Sequence, residues 1–191
     1  MSEPLEILGR WLDEAAAAEV PAPRAMTLVT ATVEGRPSAR LVTLKRLEGD
    51  GLVFTTALWT RKAAELRRNP AVAAVFHWPA LGRQARIEGC AELAERELAE
   101  QLFACRPRDH QLQALVSRQG EEIEDLAPLR ERLERLRGET ADAPIVCPPD
   151  WGAVRIVPER LELWEEAADR LHERRLYESV DGAWRLSLLA P

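Results

Sequence analysis

The sequence predicts a mainly β fold with helices (α+β), an antiparallel barrel with flanking helices, and three observations predict it. Short stretches rich in Val, Ile, Thr and Phe recur in pairs around turns such as "EGRP", "EGDG", "PALG" and "DG". Connections that short can join only antiparallel strands. Seven or more such stretches would leave exposed sheet edges, and closure into a barrel is one way to remove them. The strand–helix alternation of a doubly wound parallel sheet is mostly absent, and neither G-x-G-x-x-G nor a phosphate loop occurs, so any nucleotide is held another way.

The elements follow in order. Leu5, Leu8, Trp11, Leu12 and Ala15 fall at helical spacing, which predicts an amphipathic first helix ended by Pro21 and Pro23. "AMTLVTATV" (25–33) and "SARLVTLKRL" (38–47) read as a hairpin, and "LVFTTA" (52–57) as a third strand. "TRKAAELRRNP" is a short helix with Thr60 placed as N-cap and Asn69-Pro70 as its stop. "AVAAVFHW" and "RQARIEGCAEL" supply two more strands around "PALG". "ERELAEQLFACRP" and "HQLQALVS" are helices separated by Pro107, and "IEDLAPLRERLERLRGE" is a further helix despite Pro128. "GAVRIVP" and "RLELWEE" resume the strands; "RRLYESV" and "AWRLSLLA" close the chain around the Asp181-Gly182 turn. The 191 residues suit one domain, with an N-terminal helix over 1–20, barrel strands over 24–93 and 151–191, and a helical segment over 95–137.

Composition narrows the function. Hydrophobic residues make up 46% and charged residues 30%, an ordinary globular balance. The formal net charge of -6 argues against general nucleic-acid binding. The acidic amphipathic start lacks the form of a secretory signal, and no apolar run approaches a membrane span, so a cytoplasmic protein is expected. Cys90, Cys105 and Cys147 show no metal-ligand spacing with one another or with the three histidines. They are read as buried or half-buried free thiols in a reducing compartment.

Against this acidic background, local clusters of cations stand out. Arg61 and Lys62 open a predicted helix, where free amides and the helix dipole already carry positive charge; either they are solvated or an anion sits there. In "RLVTLK" (40–45), alternation puts Arg40, Val42 and Leu44 on one face and Leu41, Thr43 and Lys45 on the other. In "GRQARIEG", Gln84, Arg86 and Glu88 share a face: a polar outer row, or an edge whose glutamine amide suits a heterocycle with C=O and N–H groups. Arg106 and Arg108 flank Pro107, with His110 close by; arginine forks suit phosphate or carboxylate, and also ordinary surface ion pairs. "DRLHERRLYES" gathers Arg170, His172, Arg174 and Arg175 just after Trp164. Mutual repulsion there is relieved by water or by an anionic ligand.

In order along the chain, "RLVTLK", "TRKAAEL", "GRQARIEG", "RPRDHQ", "SRQGE", "LELW", "RLHER" and "WRLSLLAP" resemble the pyridoxamine 5′-phosphate oxidase family from about Trp11 to Pro191. The resemblance implies a homodimeric FMN-binding split β-barrel. It implies that Arg40, Leu41, Val42, Thr43, Leu44 and Lys45 line the cofactor site, that Thr55 and Thr56 contact FMN, and that Arg61 and Lys62 hold its phosphate. Gln84 matches the glutamine at the isoalloxazine edge; Gln119, Gly120, Trp164 and Arg174 match FMN contacts from the second subunit. Lys45 and Arg106 match contacts to the substrate phosphate, and Arg170 with His172 the pair against the pyridine ring. His110 and Leu171 fall within the same substrate set.

The activity so implied is oxidation of pyridoxamine or pyridoxine 5′-phosphate to pyridoxal 5′-phosphate, with O2 as acceptor and H2O2 as product. Departures leave the FMN set nearly intact and alter the substrate set. Leu102 and His110 stand where the family usually has a tyrosine and a serine, Gly120 replaces a frequent serine, and Thr55 a frequent aromatic. Two alternatives follow: a relative acting on another substrate such as a phenazine precursor, or a non-catalytic module that holds flavin or pyridoxal phosphate. No nucleic acid and no membrane is expected as partner.

Overall fold

The structure, a computed structural model, describes residues 2–141 and 143–191. Helix α1 (Glu3–Ala17) buries Leu5, Leu8, Trp11, Leu12 and Ala15 on one stripe, while Glu3 and Glu6 sit in its first turn, where the dipole favours acids. Strand β1 (Ala25–Ala31) alternates and buries Met26, Leu28 and Thr30. The strand expected over 38–47 is two strands. In β2 (Pro37–Thr43) the chain pairs with β1; in β3 (Arg46–Glu48) it pairs with β4 (Gly51–Ala57). The switch falls between neighbours: the Leu44 amide donates to the Arg24 carbonyl at 2.8 Å and the Lys45 amide to the Val53 carbonyl at 2.8 Å.

Helix α2 (Arg61–Arg68) follows, then β5 (Ala71–Trp78), a 3-10 turn (Pro79–Leu81) and β6 (Arg83–Leu93). Gly82 closes that turn at φ 59, a left-handed conformation natural to glycine. Three helices come next: α3 (Arg96–Ala104), α4 (Arg108–Val116) and α5 (Ala127–Thr140). Helix α5 starts later than expected. Pro128 occupies its first turn, where a missing amide costs nothing, so Ile123–Leu126 stay outside it.

The two strands expected around Pro158 are one: β7 runs unbroken over Trp151–Glu165. Strands β8 (Glu173–Val180) and β9 (Ala183–Leu188) form the final hairpin, with Asp181 at φ 50 and Gly182 at φ 80 as its turn. Among the described residues, nine strands hydrogen-bond in the order β2-β1-β5-β6-β7-β4-β3, with β8 joined to β7 and β9 to β8. The pairs β1–β2, β1–β5, β3–β4, β5–β6, β7–β8 and β8–β9 are all antiparallel.

The chain divides into two compact units. One comprises Met1–Phe54, Glu65–Glu92 and Arg155–Pro191; the other comprises Thr55–Ala64 and Leu93–Val154. The core of the first includes Trp11, which meets Trp78 edge-on at 6.3 Å, while Phe76 stacks on Trp78 at 5.5 Å. The core of the second gathers Ala57, Phe103, Ala114, Cys147 and Trp151, with Trp59 and Ile145 against them. The three thiols are free, but only Cys147 is buried; Cys90 and Cys105 are exposed, against expectation. Cys90 sits at an outward position of alternating β6, and Cys105 just past the end of α3, so neither is drawn into a core. No helix among the described residues is long and apolar enough to cross a membrane.

Candidate active site

In the sheet-rich unit, β2 presents its residues as the alternation predicts. Arg40 and Val42 are half-buried, Leu44 beyond the strand end is buried, and Leu41, Thr43 and Lys45 are exposed. Arg40 turns inward: its Nη1 donates to Thr30 Oγ1 and its Nη2 to Ser38 Oγ, both at 2.6 Å. The buried Glu65 carboxylate accepts from Ser38 Oγ at 2.7 Å and lies 3.6 Å from the Arg40 guanidinium. Arg40 and Lys45 therefore do not converge. On β6, Gln84, Arg86 and Glu88 occupy the row opposite the buried Ala85 and Ile87.

The cationic segment after Trp164 is ordered by its own backbone. The Arg170 amide donates to the Ala167 carbonyl at 3.1 Å, and the Leu171 amide to Asp169 Oδ1 at 3.0 Å. Arg170 takes φ 68, a conformation that costs a non-glycine residue about 1–2 kcal/mol and so calls for compensation from these bonds. The turn brings the His172 ring to 4.8 Å from the Trp164 ring, and His172 Nδ1 accepts the Ala167 amide at 3.1 Å. A neutral His172 thus carries its proton on Nε2. Trp164 also pairs directly with Arg174 across β7 and β8. Arg175, for which the sequence suggested no role, is structural: it pairs with Glu165 at 2.6 Å.

In the helical unit, Thr55 and Thr56 end β4 and lead into α2. Thr60 precedes that helix as expected, its carbonyl receiving the Ala64 amide at 3.0 Å and its hydroxyl donating to the Ala57 carbonyl at 2.8 Å. Arg61 is exposed; Lys62, one residue on, is only 8% exposed. Gln119 and Gly120 lie exposed beyond α4, and Gly120 takes φ 96, a backbone conformation natural to glycine.

Arg106 and Arg108 part company around Pro107. Arg108 braces the end of α5, donating to the Ala143 carbonyl at 3.0 Å and to Thr140 Oγ1 at 2.9 Å. Arg106 lies over the Trp151 ring at 4.2 Å and the Phe103 ring at 5.7 Å, and its Nη1 is buried without a hydrogen-bond partner. Burial holds the Arg106 pKa below the usual arginine range, with the nearby Cys147 acting weakly the other way. Among the described residues no carboxylate forms an ion pair with Arg106. Leu102 is buried on α3 and His110 is exposed in the first turn of α4.

Two contributors escaped sequence reasoning. Trp151 stands 45 positions after Arg106, and only a lone tryptophan ahead of Gly152 marks it. Arg96 pins the loop that delivers Trp151, donating to the carbonyls of Pro148 at 2.9 Å, Trp151 at 2.8 Å and Cys147 at 2.9 Å. No group of three or more metal-ligating side chains occurs among the described residues.

Residues 12–138 match the family model described as pyridoxamine 5′-phosphate oxidase, and residues 151–191 match the model of the pyridoxine 5′-phosphate oxidase C-terminal dimerisation region. The pyridoxine/pyridoxamine 5′-phosphate oxidase of Rubrobacter xylanophilus is 43% identical over 99% of this chain and 87% of its own length. That of Ralstonia pickettii is 41% identical over 100% and 90%. Among solved structures, PhzG from Burkholderia lata 383, in complex with tetrahydrophenazine-1-carboxylic acid, superposes with a TM-score of 0.94 at 31% identity, covering 100% of this chain and 94% of its own. A pyridoxamine 5′-phosphate oxidase-related, FMN-binding protein from Nostoc punctiforme shares the fold, with a TM-score of 0.83 at 19% identity over 100% and 99%. The antiparallel split-barrel expectation holds, and this chain belongs to the pyridoxamine 5′-phosphate oxidase family.

Proposed function

We propose that this protein is an FMN-dependent oxidase that converts pyridoxine or pyridoxamine 5′-phosphate to pyridoxal 5′-phosphate. Pyridoxine phosphate and O2 give the aldehyde and H2O2; the amine substrate also takes up one water and releases ammonia. The observation that carries a phosphorylated substrate is Arg106, a half-buried guanidinium stacked on Trp151 with Nη1 unpaired. An unpaired buried donor on a cation is costly, and a phosphate oxygen removes that cost. Relatives more than 40% identical over nearly the whole chain carry this activity in their names.

The donor set suits FMN. Arg61 and Lys62 start α2, where a phosphate would meet two cationic side chains at the positive end of the helix dipole. Gln84 offers an amide, donor and acceptor together, to the edge of the flavin. The resemblance adds Thr55, Thr56, Gln119, Gly120, Trp164 and Arg174, the last four from the partner copy of a homodimer. The match of residues 151–191 to a dimerisation region supports that assembly. When bound, FMN supplies the two-electron acceptor and passes the electrons to O2.

The chain's own residues hold and orient the substrate. By the resemblance, Lys45 and Arg106 match contacts to the substrate phosphate, and His110 and Leu171 belong to the same substrate set. Arg170 and His172 face the pyridine ring and present its C4′ carbon to the flavin. His172, with Nδ1 already accepting from Ala167, offers its Nε2–H as a donor. Free thiols fit a cytoplasmic setting.

A second reading is favoured by the likeness to PhzG and by Leu102, which offers no hydroxyl to a phosphate: a tricyclic carboxylate as substrate. Anaerobic titration of the FMN-loaded protein separates the two. Pyridoxine 5′-phosphate is expected to bleach the flavin band, with unphosphorylated pyridoxine and tetrahydrophenazine carboxylate far less effective. Preferential bleaching by the tricyclic acid would transfer the assignment to the second reading. Bound FMN that no B6 phosphate reduces would mean a binding module.

A further inference from the structure

We infer that Glu162 is a positioning residue that aims Arg174 at the flavin; the inference rests on the reading that Arg174 touches FMN. Three neighbouring strands bring Arg86 on β6, Glu162 on β7 and Arg174 on β8 together, Arg174 lying two residues from the position opposite Glu162. Glu162 is 7% exposed, so its charge is buried, and each of its oxygens takes one arginine. Oε1 accepts Arg174 Nε at 2.8 Å, and Oε2 accepts Arg86 Nη1 at 3.1 Å.

A second contact fixes the same guanidinium from the other side. The Leu189 amide donates to the Arg174 carbonyl at 2.9 Å, and Arg174 Nη1 donates to the Ala190 carbonyl at 3.0 Å. With Nε and Nη1 engaged, the Nη2 edge is the part of the fork left for a ligand. A cavity of about 100 Å³ opens against Arg86, Arg160, Glu162 and Arg174. Without the carboxylate, Arg86 and Arg174 would repel at close range, and Arg174 would swing out of this geometry.

The charge that selects the orientation is thus supplied by a residue that need not touch the cofactor. Sequence reading assigned Arg174 from the resemblance and passed over Glu162, which reads as an ordinary outward strand acid in "RLELWEE". Burial singles it out: a carboxylate this inaccessible persists only when paired.

The test measures FMN dissociation from flavin fluorescence quenching on apoprotein, alongside apoprotein melting. Arg174→Ala examines the underlying reading, and unchanged FMN affinity in that variant would overturn it. Glu162→Gln keeps an acceptor but removes the charge, and is expected to weaken FMN roughly tenfold. Combined with Arg174→Ala it is expected to add nothing, because its effect runs through that arginine. Glu162→Asp, which retains the charge one methylene shorter, is expected to fall between wild type and Glu162→Gln, and serves if the glutamine variant does not fold. Wild-type FMN affinity in the Glu162 variants while Arg174→Ala binds weakly would overturn the inference alone. So would a loss in the double variant equal to the product of the single losses.

Discussion

Tyr177 is the only tyrosine in the chain, 2% exposed on β8, which makes it a clean reporter of its surroundings. Burial, followed by the charge of Glu3, pushes its pKa above the ordinary value of 10. An acid whose folded pKa is raised contributes stability that is intact below the unfolded value and is lost as pH rises through the folded one. Phenolate absorbance should therefore rise with its midpoint above that of an ordinary tyrosine, with stability to urea falling over the same range. Titration at the ordinary value with no loss of stability would contradict this. Single residues also mark the limit of sequence reading. The opposed faces of Arg40 and Lys45 follow from strand alternation alone, and the structure keeps them. The aromatic bed of Arg106 does not follow, because Trp151 reaches it only through the fold and the Arg96 clamp. Pairings of that range leave no local signal.

At the level of elements, proline was the main source of misreading, and each case has a backbone reason. Pro128 sits in a first helical turn, where the amide it lacks would be unpaired anyway. Pro158 lies inside β7, and the strand continues because proline interrupts a ladder only where its missing amide was needed. Beside it, Gly89 on β6 approaches β7 so closely that a Cβ would lie 2.1 Å from the Val157 carbonyl oxygen and 2.9 Å from Pro158 Cα. Both obstacles are backbone and cannot rotate away. Gly89→Ala should therefore cost about 1–3 kcal/mol, lowering the melting temperature by roughly 2–4 °C for each kcal/mol. Gly138 is the contrast: on α5 its Cβ would meet nothing within 4 Å. Gly138→Ala should stabilise by roughly 0.5–1 kcal/mol, since alanine is the better helix former. Thermal melts of the two variants side by side check both signs. The hairpins, their turns and the helix order were legible because they are local. The switch from β1 to β4 as partner between Leu44 and Lys45 was not, since both halves of that segment read as strand.

For the whole molecule, the proposed dimer makes a simple demand on mass. Sedimentation at micromolar concentration should return twice the 21.5 kDa of the chain, and a monomer binding FMN at full strength would refute flavin contacts from a partner copy. At this scale the fold class came from counting short antiparallel connections. Pairing of copies is invisible in periodicity and entered only through resemblance.

Gly120 carries a consequence for how such proteins diverge. At φ 96 there is open space around its Cα, yet an L-residue resists that backbone shape. Reinstating the serine frequent among its kin would thus need the loop to be redrawn at the same time. One bend therefore restricts which side chains this loop accepts, although nothing crowds the position.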